Sequence, residues 1–83
     1  MNGETSMEKV IDVEATSLRI GEMIEEKGLT ARQIQRQLDL DTIQAVYKWM
    51  KPQYNSIPSI DNLVKLSKLL GCSLEDILVA KDK

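Results

Sequence analysis

The sequence predicts an all-α fold of five short helices, and three observations support this prediction. Apolar residues recur at three- and four-residue spacing in successive segments, which is the period of a helix with one buried face. Glycines, prolines and capping residues separate these segments. No segment alternates apolar and polar residues as a half-buried strand would. The length of 83 residues and the absence of Phe predict one small domain with a mainly aliphatic core.

The composition excludes several classes of site. There is no His and a single Cys, Cys72, so the chain can form neither an internal disulfide nor a zinc site of the usual ligands. We interpret Cys72 as a small buried hydrophobe rather than a reactive thiol, because no His is present to lower its pKa. No apolar run approaches the ~20 residues of a membrane span, and the N-terminus lacks a signal pattern. We therefore expect a cytoplasmic protein with no metal, no cofactor, no membrane contact and no evident small-molecule substrate.

Charge is distributed unevenly along the chain, whose net charge is −2. Residues 1–26 carry seven acidic and two basic side chains, whereas residues 27–51 carry five basic and two acidic ones. Residues 52–83 carry four of each. The net charge argues mildly against a nucleic-acid partner, but the local excess of positive charge in residues 27–51 favours one.

We divide the chain into a flexible N-terminal arm over residues 1–14, a folded domain over 15–79 and a tail over 80–83. The first helix of the domain places Ile20, Met23 and Ile24 on one face, with the stem of Lys27 at its edge. Gly28 ends it, and Leu18 lies on its opposite face.

The second and third helices are separated by a short connection, "DLD". Thr30 caps the second helix, "ARQIQRQL", and Leu40 fills the core between the two. The third helix is predicted from about Thr42 to Lys51, just ahead of Pro52. At about 100° per residue, its inward face carries Ile43, Val46, Trp49 and Met50. Its outward face carries Gln44, Lys48 and Lys51, flanked by Tyr47 and Ala45.

Capping residues predict the last two helices. Ser59 caps the fourth, "IDNLVKLSKLL", and Gly71 ends it. Its apolar stripe is Ile60, Leu63, Leu66, Leu69 and Leu70. Ser73 and Asp76 form a capping box at the start of a short fifth helix whose inward residues are Leu74, Ile77 and Leu78.

The outward face of the third helix differs from that of an ordinary structural helix, which mixes acidic and basic residues. No acid lies between Thr42 and Lys51. Gln can pair with the edge of adenine, Lys can donate to guanine or a phosphate, and Tyr can contact a phosphate or a thymine methyl group. Trp49 could stack on an unpaired base, but its place on the apolar stripe favours the core.

Two short helices, a tight turn and a polar-faced second helix resemble a helix-turn-helix. More specifically, residues 15–79 resemble the Cro/CI phage-repressor type of this domain, which is a lambda-repressor-like five-helix bundle. The resemblance rests on "GLTARQIQRQL", "VYKWM", "IPSIDNLVKLSKLLG" and "SLEDIL", in that order. It implies a small bacterial transcriptional regulator that binds double-stranded DNA as a homodimer.

The resemblance also implies which residues contact DNA. The base-contacting residues would be Thr42, Gln44, Ala45, Tyr47 and Lys48, on a helix in the major groove. The phosphate-contacting residues would be Ala31, Arg32, Gln33, Lys51 and Asn55. The helical wheel agrees on Gln44, Tyr47 and Lys48, whereas the resemblance alone supplies Ala31 and Gln33.

The chain departs from the usual pattern of this type at four places. Asp39 stands where the turn commonly has Gly, and Gln35 stands where the second helix commonly has a small Ala. Met50 replaces a Glu at the end of the third helix, and the loop "KPQYNSIP" lacks the usual Gly. We expect Asp39 to adopt the left-handed conformation that this turn requires.

A second function from another class stays open. Helix-turn-helix domains also serve as antitoxins and as modules that bind other proteins, and the acidic total weakly favours such a role. An enzyme fits least well, because the sequence offers no pair of catalytic carboxylates in a plausible cleft, no phosphate-binding glycine loop and no nucleophile with a base.

Overall fold

The computed structural model describes residues 9–83, which contain five α-helices and one small antiparallel strand pair. In chain order the elements are β1 (Lys9–Ile11), α1 (Val13–Glu26), α2 (Ala31–Leu38), α3 (Gln44–Met50), a 3₁₀ turn (Pro52–Tyr54), α4 (Ile60–Leu70), α5 (Leu74–Ile77) and β2 (Ala80–Asp82). The prediction of an all-α bundle of five helices is confirmed, with the strand pair as a minor addition. No helix within residues 9–83 is long and apolar enough to cross a membrane.

All five helices contribute side chains to one aliphatic core, with Trp49 as its aromatic member. The buried apolar residues are Ile20, Ile24, Ile34, Leu38, Val46, Trp49, Leu63, Leu66, Leu70 and Ile77. Leu40 and Cys72 are partly buried against this cluster. The predicted stripe of α4 is wrong at its first member, because Ile60 is 70% exposed. Ile60 lies in the first turn, to one side of the inward-facing stripe formed by Leu63, Leu66 and Leu70.

The predicted caps are confirmed. The Thr30 hydroxyl accepts from the Gln33 amide, and the Gln33 side chain accepts from the Thr30 amide, at 3.2 and 2.8 Å. Ser73 and Asp76 make the same reciprocal pair at α5. Ser59 caps α4 through the amide of Asn62, and Gly71 ends it with φ 72°. Each of these bonds satisfies a helix-terminal group that would otherwise lack a partner.

The third helix is shorter than predicted and runs from Gln44 to Met50 instead of from Thr42 to Lys51. Its C-terminal limit has a local cause. A residue before proline is disfavoured in the helical region, and Lys51, which precedes Pro52, is extended at φ −120° and ψ 114°. At the other end Ile43 is already helical in its backbone angles, and its carbonyl accepts the first helical bonds from Val46 and Tyr47.

Part of the expected arm and tail forms the strand pair, which the sequence pattern did not predict. Lys9 pairs with Asp82 and Ile11 with Ala80, and the Lys9 Nζ lies 2.8 Å from an Asp82 carboxylate oxygen. The first helix begins at Val13, inside the segment assigned to the arm. Residues 1–8, the rest of that arm, lie outside the described residues.

Two buried hydroxyl residues on the inward face of α1 attach distant segments to it. Thr16 exchanges hydrogen bonds with the backbone of Val79, and its hydroxyl accepts from the Val79 amide at 3.0 Å. The Ser17 hydroxyl donates to the Ser56 carbonyl at 3.1 Å. Helix α1 therefore fixes both the C-terminal segment and the loop that follows α3.

Cys72 and Asp76 lie near the α4–α5 junction, away from α3. Burial and then the negative charge of Asp76 raise the pKa of the Cys72 thiol. The Ser73 amide and then the Ser73 hydroxyl lower the pKa of Asp76. A raised thiol pKa disfavours the reactive thiolate, in keeping with Cys72 as a packing residue.

Candidate nucleic-acid interface

Helix α3 has two chemically distinct faces. Its inward face buries Val46 completely and leaves Trp49 5% exposed. Its outward face carries Gln44, Tyr47 and Lys48, all exposed, with Tyr47 44% exposed. Residues three and four apart share one side of a helix, so these three form a continuous surface, which we name the α3 outer face.

Lys51 extends the positive charge of this surface beyond the end of the helix. Its Nζ lies 6.0 Å from the centre of the Tyr47 ring, within the range of a cation–π contact. Such a contact at an exposed site stabilises by about 0.5–1 kcal/mol. The Lys51 ammonium therefore lies beside the α3 outer face, although Lys51 itself follows the end of the helix.

The five residues expected to contact bases do not share one environment. Gln44, Tyr47 and Lys48 make up the α3 outer face. Thr42 is exposed but precedes the helix, in the turn. Ala45 is partly buried and packs against the core, so its methyl group lies at the edge of the exposed surface.

The five residues expected to contact phosphates come from two segments. Arg32 is exposed in the first turn of α2, where Gln33 uses its side-chain oxygen in the capping box. Ala31 is partly buried against the core. Lys51 and Asn55 are exposed in the loop after α3, and Asn55 has a left-handed backbone with φ 50°.

The turn between α2 and α3 spans residues 39–43. Asp39 ends α2 in the left-handed conformation expected of it, with φ 56° and ψ 51°. The Gln35 side chain, which stands in place of a small residue, donates its amide to the Leu40 carbonyl at 3.3 Å. Its oxygen is buried and has no hydrogen-bond partner within residues 9–83. Gln35 thus binds the turn through its amide nitrogen alone.

Helix α1 packs closely against the C-terminal end of α3. A Cβ atom added to Gly21 would lie 3.2 Å from the Met50 carbonyl oxygen, tighter than ordinary contact. Beside this contact is a shallow, open groove of about 270 Å³, lined by Leu18, Gly21, Glu22, Glu25 and Met50. The absence of a side chain at Gly21 lets α1 support the short α3 through backbone contact.

Sequence reasoning did not identify the two buried hydroxyl residues of α1, of which Ser17 anchors the loop after α3 and Thr16 the C-terminal segment. Ser17 is completely buried and binds the Ser56 carbonyl, next to Asn55. The spacing in the sequence indicated only that both residues face inward, because Ser17 is three residues before Ile20 and Thr16 is four before it.

Comparison with known proteins agrees with this geometry. The family model described as the Cro/C1-type HTH DNA-binding domain matches residues 19–83, which include all five residues expected to contact bases and all five expected to contact phosphates. No curated protein and no solved structure matched the chain. The match covers more than half of the sequence and carries the two helices and the turn described above. The chain belongs to the family of Cro/C1-type helix-turn-helix DNA-binding domains.

Proposed function

We propose that the protein is a transcriptional regulator that binds double-stranded DNA sequence-specifically, with α3 in the major groove. The observation that carries the proposal is the α3 outer face, where Gln44, Tyr47 and Lys48 are exposed together and no acid interrupts them. A face that only needed solvation would gain from mixed charges, because pairs of opposite charge four residues apart stabilise a helix.

Each residue of this face has a chemistry that suits a base pair. The Gln44 amide can donate and accept at once, which matches the two groups that adenine presents in the major groove. Lys48 can donate to the acceptors of guanine or to a phosphate. The Tyr47 ring offers an apolar surface for a thymine methyl group. Thr42 and Ala45, at the borders of this surface, are the secondary candidates for base contact.

The phosphate contacts would lie on both sides of α3. Arg32 and the first-turn backbone of α2, from Ala31 to Gln33, face one strand in this arrangement. Lys51 and Asn55 approach the other from the loop. Contacts of this kind orient the protein on the duplex and supply affinity that depends on salt but not on sequence.

We further propose that the protein binds DNA as a homodimer. One recognition helix reads only a few base pairs, and helix-turn-helix dimers reach strong specificity by binding two half-sites about one helical turn apart. A palindromic target would then mirror the two-fold symmetry of the protein.

Selection of bound sequences from a pool of random duplexes tests the proposal. We expect a palindromic consensus, and we expect affinity for random duplex DNA to fall steeply as salt rises. Failure to enrich any sequence, together with binding that salt does not weaken, would contradict DNA reading. That outcome would favour the other use of the fold, in which this domain binds a protein partner.

A further inference from the structure

Helix α4 exposes two apolar side chains that its own domain does not use. Ile60 is 70% exposed, more than any other large apolar residue within residues 9–83, and Val64 is 38% exposed one turn later. Both are β-branched, a class with lower helix propensity than many polar alternatives. Neither the core nor the helical backbone therefore explains Ile60 and Val64 at these positions.

Charged residues flank this apolar pair in an ordered way. Asp61 is exposed next to Ile60 near the N-terminal end of α4, and Lys65 and Lys68 are exposed toward its C-terminal end. The ion pair between Lys9 and Asp82 is the one salt bridge within the described chain. Among residues 9–83, Asp61, Lys65 and Lys68 therefore form no salt bridge.

The surface formed by Ile60, Val64 and Lys68, which we name the α4 seam, is complementary to itself when two copies run antiparallel. Successive members are four residues apart, so they lie along one side of the helix. In an antiparallel pair centred on Val64, the two Val64 side chains meet, and each Ile60 lies on the apolar stem of Lys68 from the second copy. Asp61 of each copy then faces the ammonium of Lys68 from the other.

A parallel pair would instead place like charges opposite each other, and it would align the two helix dipoles unfavourably. The arrangement of charges on α4 thus favours the antiparallel pair over the parallel one, and the antiparallel pair has the two-fold symmetry of an isologous dimer.

We propose that the α4 seam is the homodimer interface of this protein, with a second copy of the chain as its occupant. This inference rests on the proposed homodimer and adds the surface that forms it.

The apolar part of the seam is tested by sedimentation of the protein without DNA. The wild type should pass from monomer to dimer as its concentration rises. Ile60→Glu should raise the dissociation constant at least about tenfold, because it places a charge in an apolar contact. Leu18→Glu is the matched control, since Leu18 is 54% exposed on α1, and it should leave the dissociation constant unchanged.

The charged part is tested by a complementary exchange. Asp61→Lys and Lys68→Glu should each weaken self-association, because each converts both Asp61–Lys68 contacts of the dimer into like-charge pairs. An equimolar mixture of the two variants should form a heterodimer close to wild-type affinity, since every pair is again opposite. Lys65→Glu, on the same helix but outside the seam, should have the smaller effect.

The results separate failure of the interface from failure of the proposed function. A wild type that remains monomeric at millimolar concentration overturns the proposed interface. That result would favour a different protein as the partner of α4. Ile60→Glu that dimerises like the wild type, or a mixture that forms no heterodimer, also overturns it. Half-site DNA binding is measured with the same variants. If the variants bind a half-site like the wild type, the proposed DNA binding stands even when the interface is wrong. If dimerisation behaves as expected but no variant binds DNA, only the proposed function is wrong.

Discussion

The two helices of the helix-turn-helix are stabilised in different ways. Helix α2 is delimited by its own sequence, with a reciprocal Thr30–Gln33 capping box at its start and left-handed Asp39 at its end. Helix α3 has no side-chain cap hydrogen bond at its N-terminus, and its C-terminal limit is imposed by the proline that follows Lys51. One helix is specified locally, whereas the other depends on what packs against it.

This difference explains how α3 can carry a functional surface. A seven-residue helix is too short to be stable alone in water, so tertiary packing must supply its stability. Val46, Trp49 and the backbone contact with Gly21 provide that packing from one side. The residues of the α3 outer face do not take part in this packing. They are therefore available to contact a binding partner.

The largest expected effect comes from removing the packing that holds α3. Trp49→Ala should lower the free energy of unfolding by about 3–5 kcal/mol, because a buried aromatic side chain is replaced by a cavity. A denaturant titration followed by circular dichroism measures the loss. A loss below about 1 kcal/mol would mean that the core does not depend on Trp49.

Matched threonine substitutions sharpen the comparison between the two helices. Thr30→Ala should cost about 1 kcal/mol of stability, because it removes the cap of α2. Thr42→Ala should cost much less, since Thr42 precedes α3 without capping it. Thermal unfolding of both variants measures this difference. Equal losses would show that α3 also depends on a local cap.

A smaller effect is expected at the turn between the helices. Asp39→Gly should stabilise the protein by a fraction of the ~1–2 kcal/mol that a left-handed backbone costs an ordinary residue, because glycine adopts φ 56° without strain. Asp39→Ala should destabilise it, because alanine lacks the local tolerance of Asp for this region. Chemical denaturation of the pair measures both signs; stabilisation by Ala would contradict the assigned conformation.

Local signals made most of the fold predictable from the sequence. Thr30, Ser59 and Ser73 identified three helix starts because capping depends on a few adjacent residues. The strand pair escaped prediction because its short, exposed strands lie at opposite ends of the described chain and carry no alternating pattern. The exposure of Ile60 was not predicted for a related reason. The spacing of apolar residues along α4 does not show at which residue the helix extends beyond the core.

The candidate site was predictable to a similar extent. The common face of Gln44, Tyr47 and Lys48 followed from helical geometry, and the structure places them together. The contact of Lys51 with Tyr47 did not follow, because the wheel assumed that the helix continued through Lys51. The Ser17 bond to the loop could not be predicted from either segment alone, since it joins residues distant in sequence.

The claim that the α3 outer face reads DNA is tested most directly by measuring how Gln44→Ala binds its selected site and random duplex DNA. The variant should lose about 1–3 kcal/mol on the selected site and almost nothing on random DNA, because the amide reads a base and carries no charge. Lys51→Ala is the control, because Lys51 lies beside the α3 outer face and carries a positive charge. It should weaken both kinds of DNA alike and reduce the slope of log K against log salt by about 1. If both variants keep the fold and bind both duplexes like the wild type, the α3 outer face is not a reading surface.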